Sequence, residues 1–171
     1  MNTFQHGNKP FSEFEERVIH SRRVSKVVKG GRNLRFNALV IAGNKKGKIG
    51  FGIAKAVAIP DAIKKAGTMA KKKLITVPQT GTTVPHEIKL KHAASRIIIK
   101  PANPGTGVIA SGPVRTIFEL AGIKDVVVKT LGSRNPINVT QSVFKALQSM
   151  QMREEPKDKE INLDEEESNE N

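Results

Sequence analysis

Between Gly47 and Ile53 the chain alternates strictly: Ile49, Phe51 and Ile53 occupy every second position, with Gly50 and Gly52 between them. A period of two is that of a β-strand, so this strand has one apolar face and one face with no side chains at all. A bare face fills its space only if another backbone approaches closely, as across a sheet, and the fold must supply that neighbour. The glycine order in Gly47-Lys48-Ile49-Gly50-Phe51-Gly52 reverses that of a dinucleotide fingerprint. It also lies inside a strand pattern rather than between a strand and a helix, so a structural role is preferred to nucleotide binding.

The flanking sequence extends this strand into a module. From about Phe14 to Val28 the pattern is half apolar and half basic, ending in Lys29-Gly30-Gly31-Arg32, whose paired glycines read as a basic hairpin loop. Leu34, Phe36 and Ala38 alternate into the apolar run Leu39-Val40-Ile41-Ala42, and Gly43 to Lys48 forms a second basic turn. After the glycine-bearing strand, Pro60 and Asp61 suit the first turn of a helix with the stripe Ile63, Ala66, Ala70 and Leu74. Residues 13–79 are therefore expected to form three strands and a helix, preceded by a flexible arm over 1–12.

Pro78 to Pro85, with Gly81 and three threonines, predicts a linker centred on 80–83. Beyond it, strand patterns at Val84–Lys91, Arg96–Lys100 and Val126–Val128 alternate with two helices. One opens near Pro113, carries Val114, Ile117, Phe118 and Ala121 inward, and stops at Gly122. The other is capped by Asn135 or Asn138 and turns Val139, Val143, Leu147 and Met150 inward. The alternation predicts an α/β or α+β second module over residues 84–152, in a chain that is α+β overall.

Charge narrows the function. The formal net charge is +13, yet residues 154–171 hold nine acids against two bases, so the preceding body carries about +20. Such a body attracts polyanions. The acidic segment, 153–171, has too little apolar content to fold alone and is expected to be disordered. No apolar run is long enough for a membrane helix, and Glu13, Glu15 and Glu16 argue against a transit peptide, so a cytoplasmic protein is expected. The absence of cysteine removes disulfide, thiolate and zinc-ribbon chemistry. With no Tyr or Trp and seven Phe, base stacking is poorly supplied, and recognition of folded RNA by backbone and shape fits better.

Enzymatic readings fare badly. His86 and His92, six residues apart in a strand pattern, would lie roughly 20 Å apart at ~3.3 Å per residue, too far to share a metal. Gly105-Thr106-Gly107 precedes a helix, but no Lys-Ser/Thr follows it, so a phosphate-binding loop is disfavoured. No catalytic, metal or cofactor residues are assigned. The basic set stands above this background: Arg22, Arg23, Ser25, Lys26, Lys29, Gly30, Gly31 and Arg32 in the first loop, and Lys45, Lys46 and Lys48 in the second. Lys64, Lys65, Lys71 and Lys72 on the helix are weaker candidates for phosphate contact. A free double-stranded-RNA-binding regulator and a phosphate-handling enzyme remain as alternatives.

Arg23-Val24-Ser25-Lys26 running into Lys29-Gly30-Gly31-Arg32, then Phe36-Asn37-Ala38-Leu39 and Gly47 to Gly52, resembles the small-subunit ribosomal protein family uS5 of bacterial type. The series continues in the family's order through Val84-Pro85-His86-Glu87, Lys100-Pro101-Ala102, Gly105 to Ala110, Glu119 to Asp125, Leu131-Gly132-Ser133 and Asn135 to Val139. The sequence departs from the usual pattern at Asn44, Asn103-Pro104 and Pro113. The resemblance implies a module like a double-stranded-RNA-binding domain, a three-stranded antiparallel sheet with a helix. A two-layer α/β sandwich with a left-handed βαβ crossover would follow it, against the usual hand. It implies binding to small-subunit rRNA near the neck and the channel by which messenger RNA enters, beside ribosomal proteins uS4, uS8 and uS3. It also implies an antibiotic-response loop at Val24, Ser25 and Lys26, where changes alter the response to spectinomycin. Gly107 and Arg115 would lie in a uS4 contact that supports decoding accuracy.

Overall fold

The computed structural model describes residues 14–150; the expected arm over 1–12 and the acidic segment over 153–171 fall outside them. Strands β1 (Glu15–Val28), β2 (Gly31–Gly43) and β3 (Lys48–Ala56) form an antiparallel meander, followed by helix α1 (Ile59–Lys72). A short strand, β4 (Leu74–Thr76), then pairs with the free edge of β3, so this sheet has four strands rather than the three expected. Leu74, read from the sequence as the last residue of the helical stripe, lies opposite Gly50 in that fourth strand. The helix stops at Lys72, and Leu74-Ile75-Thr76, two of them β-branched, satisfy the open backbone groups of Lys48–Gly50.

The close backbone neighbour demanded by Gly50 and Gly52 is α1, a helix rather than another strand. A Cβ on Gly52 would collide with the Ala66 carbonyl, and one on Gly50 with the Ala70 carbonyl. The helix accordingly turns buried alanines to the sheet, Ala62, Ala66 and Ala70 at intervals of four, with Ala62 and Ala66 packed on Ala38, Val40 and Ala54. Ile63, placed in the stripe by sequence, is only partly buried at its margin.

The second sheet has the order β5-β6-β8-β7, made of β5 (Ile88–His92), β6 (Ser95–Pro101), β7 (Val108–Ile109) and β8 (Val126–Gly132). The strand expected from Val84 starts only at Ile88, so His86 precedes it. Strands β7 and β8 are parallel and are connected through α2 (Gly112–Ala121); α3 (Pro136–Ser149) follows β8. Asn135 caps α3, its side chain accepting from the Ile137 N–H at 3.1 Å.

Both helices pack on one face of this sheet, and the resulting core extends into the first. Ile41, Ile49 and Val77 share one apolar cluster with Phe118, Leu120, Ile97, Ile99, Val128 and Leu147. The junction is made by the turn after β2. Its Lys45 N–H donates to the Leu120 carbonyl at 2.9 Å and its Gly47 N–H to the Ala121 carbonyl at 2.8 Å, while Gln79 Nε2 also donates to Ala121 at 3.0 Å. Helix α2 thus ends with carbonyls that have no partner within the helix, and a turn from the other sheet supplies the donors.

Candidate nucleic-acid interface

Strand β3 pairs with β2 only from Phe36 to Gly43. Beyond Arg35, β1 and β2 continue alone as a two-stranded ribbon that closes through Lys29-Gly30 between the pair Val28 and Gly31. The stretch read as a basic loop is therefore mostly strand, with a two-residue turn at its tip. From Arg35 to Gly31 the ribbon stands clear of the sheet by about 17 Å at ~3.3 Å per residue.

Register sorts its cations onto two faces. Val24 lies opposite Arg35, Lys26 opposite Asn33 and Arg22 opposite Asn37, which in turn faces Lys55 on β3. The reverse face holds Arg23 opposite Phe36, Ser25 opposite Leu34 and Val27 opposite Arg32. Arg22, Arg23, Lys26, Lys29, Arg32 and Arg35 form no ion pair among the described residues, and residues 22–35 include no carboxylate. A concavity of about 360 Å³ on the first face is lined by Val24, Lys26, Val28, Asn33, Arg35 and Lys55. Arg35 and Lys55 were missed from sequence. Arg35 falls just past the glycines that marked the loop, and only the register between β1, β2 and β3 puts Lys55 on the same face as Arg22, across Asn37.

The two basic turns lie at opposite ends of β2, which is 13 residues long, so Lys45, Lys46 and Lys48 do not join the ribbon tip. The Asn44 side chain organises that second turn, accepting from the N–H groups of Lys46 at 2.8 Å and Lys48 at 3.0 Å. Lys45 pairs with Glu15 at 2.6 Å. Lys45 and then Arg17 hold the Glu15 carboxyl below its ordinary range. Lys71 pairs with Glu16 at 2.8 Å, whereas Lys64, Lys65 and Lys72 are exposed on α1 without a carboxylate partner among the described residues. Two of the candidate phosphate contacts, Lys45 and Lys71, thus already have an anionic neighbour.

Gly107 and Arg115 sit in the second module. The Gly107 N–H donates to Asp125 Oδ1 at 2.9 Å, and this bond, then the Thr82 hydroxyl, lowers the Asp125 carboxyl below its ordinary range. Arg115 pairs with Glu119 at 3.3 Å, and Glu119 also holds Arg17 of β1 at 2.8 Å. Through Arg17, Glu15 and Lys45 the pairs continue to the turn that docks on α2. Each is partly solvated and worth little alone, but together they bridge the modules. Glu119 was not singled out from sequence, because its partner Arg17 is remote in the chain.

No group of His, Asp or Glu side chains among the described residues could hold a metal ion, and no described helix is long and apolar enough to cross a membrane. Residues 14–78 match the family model described as Ribosomal protein S5, N-terminal domain, and residues 90–160 match that described as Ribosomal protein S5, C-terminal domain. The two matches run in sequence order and together take in most of the chain. With the meander-and-helix module first and the second sheet with its helices after it, the chain belongs to the ribosomal protein S5 family, whose members are structural, non-enzymatic parts of the small ribosomal subunit that bind its rRNA.

Proposed function

We propose that the β1–β2 ribbon is inserted into small-subunit rRNA near the neck, close to the channel by which messenger RNA enters, in a cytoplasmic ribosome. The observation that carries this reading is the free-standing ribbon whose cations, on both faces, have no carboxylate partner among the described residues, a shape suited to entering a cleft in folded RNA rather than lying on one side of it. Arg22, Lys26 and Arg35 would meet phosphates on one side, Arg23 and Arg32 on the other, with Lys29 at the tip. Val24, Ser25 and Lys26 would form the segment where changes alter antibiotic response. The loop carrying Gly107, together with Arg115 on α2, would meet uS4 and support decoding accuracy, with uS8 and uS3 nearby. In this reading residues 13–79 are the RNA-binding module and 84–152 the protein-facing one, with 80–83 linking them.

A salt titration tests the ribbon. Lys29→Ala with Arg32→Ala should weaken binding across RNA sequences and flatten the dependence of log K on log salt by about 0.9 for each duplex phosphate that the variant leaves unneutralised. An unchanged slope would remove both residues from the interface. Retention of the intact chain on small-subunit particles through a high-salt wash separates an integral component from a loosely held polycation.

A further inference from the structure

Among the described residues, the second sheet has one face covered by helices and the other open. Ile97, Ile99, Val126 and Val128 point toward α2 and α3, and the alternate residues of the same strands point away. On that open face Lys91 lies beside Arg96 and Arg96 beside Leu131; one step along, Lys89, Ile98 and Lys129 form a row; next come Lys100 and Val127, with Ile109 at the edge. Five cations therefore project from three adjacent strands. The carboxylate among them is Glu87, held at 3.3 Å from both Lys89 and Lys100. Lys91, Arg96 and Lys129 have no carboxylate partner among the described residues.

We propose that this open face is a second RNA-backbone surface, on which Lys91, Arg96 and Lys129 contact phosphates of small-subunit rRNA separate from those met by the ribbon. The inference rests on the rRNA-binding role and adds a surface in the module otherwise given to protein contacts. Neighbouring positions lie about 4.8 Å apart across strands and roughly 6.6 Å apart along them, a spacing that lets adjacent cations engage successive phosphates. The face carries no aromatic side chain, so it suits the backbone rather than stacked bases. Its apolar residues are interrupted: Lys129 separates Leu131 from Val127 and Ile109, and lysine stems flank Ile98. A protein interface would place a continuous apolar centre there, with charge at the rim.

Hydroxyl-radical footprinting of rRNA in small-subunit particles reconstituted with the full chain tests the proposal. The unaltered chain should protect two separate backbone segments. The triple variant Lys91→Gln, Arg96→Gln, Lys129→Gln should lose one and keep the ribbon's, which also shows that it is folded. An equal-charge control, Lys73→Gln, Lys124→Gln, Lys145→Gln, should keep both. Identical footprints for the unaltered chain and the triple variant would overturn the proposal, as would loss of the same segment in the control. A second segment protected only after removal of residues 154–171 would give the face to the acidic tail and overturn it too. If Lys29→Ala with Arg32→Ala costs no protection, the ribbon reading fails instead, whatever the sheet face does.

Discussion

Gly105 and Gly122 share nearly the same left-handed backbone, with φ of +89° and +90°, but only Gly122 is packed against the other module. A Cβ on Gly105 meets nothing within 4 Å, whereas one on Gly122 would collide with the backbone carbonyl of Lys45. Alanine at either position incurs the left-handed penalty of roughly 1–2 kcal/mol. At Gly122 it must also push the Lys45 turn away from α2. That endangers the two bonds from Lys45 and Gly47 to Leu120 and Ala121, each worth about 0.5–1.5 kcal/mol. Gly105→Ala should therefore cost about 1–2 kcal/mol and Gly122→Ala about 2–5 kcal/mol. For a chain of this size each kcal/mol lowers Tm by about 2–4 °C, so the variants should separate by several degrees. Urea unfolding followed by circular dichroism, with a thermal melt alongside, measures both. Equal losses would refute the reasoning, because they would mean that the docking of the turn on α2 contributes nothing beyond the strain.

Phe118→Ala removes the largest fully buried side chain of the shared core and should cost about 3–5 kcal/mol. Because Ile41 and Ile49 belong to the same cluster, both sheets should unfold in one transition, and a split melt would show otherwise. The Asp125 carboxyl is lowered in the folded chain, so the stability it contributes is present above the unfolded carboxyl value of ~4 and is lost as pH falls through the lower folded value. Asp125→Asn should flatten the pH dependence of stability in that acid window; titrations of the two proteins that run parallel below pH ~4 would contradict it. Asn135→Ala removes the side-chain cap of α3 and should cost about 0.5–2 kcal/mol in the same urea assay, whereas no loss would mean that Pro136 alone fixes the helix start.

What could be read from the chain followed how local its cause was. Gly122 and Asn135 act within one turn of their helices, so the end of α2 was legible and the start of α3 was narrowed to Asn135 or Asn138, of which the structure selects Asn135. The alternation at Ile49, Phe51 and Ile53 identified its strand, and the bare glycine face required a close neighbour without saying that it would be a helix. Leu74 was misplaced because it continues the helical period of Ala66 and Ala70; only the free edge of β3 draws it into a strand. Arg35 and Lys55 were overlooked for a related reason. Composition marks a basic run along the chain, whereas an interface is assembled across strands, where register decides which cations share a face.

The second basic turn makes the same point from the other direction. Lys45, Lys46 and Lys48 looked equivalent to the ribbon cations because a count of charges cannot register what the backbone beneath them is doing. Here that backbone caps α2, whose terminal carbonyls form the negative end of a helix dipole, and lysines belong at such an end whether or not RNA is present. The ribbon offers its cations no comparable partner: among the described residues no helix terminus, carboxylate or third strand accompanies Lys26, Lys29 or Arg32. A two-stranded ribbon of this kind is marginally stable in water by itself, and its charges repel one another. If the ribbon enters rRNA as proposed, the surrounding polyanion would relieve both deficits, which gives its cations a reason to stand unpaired that the lysines of the second turn do not need.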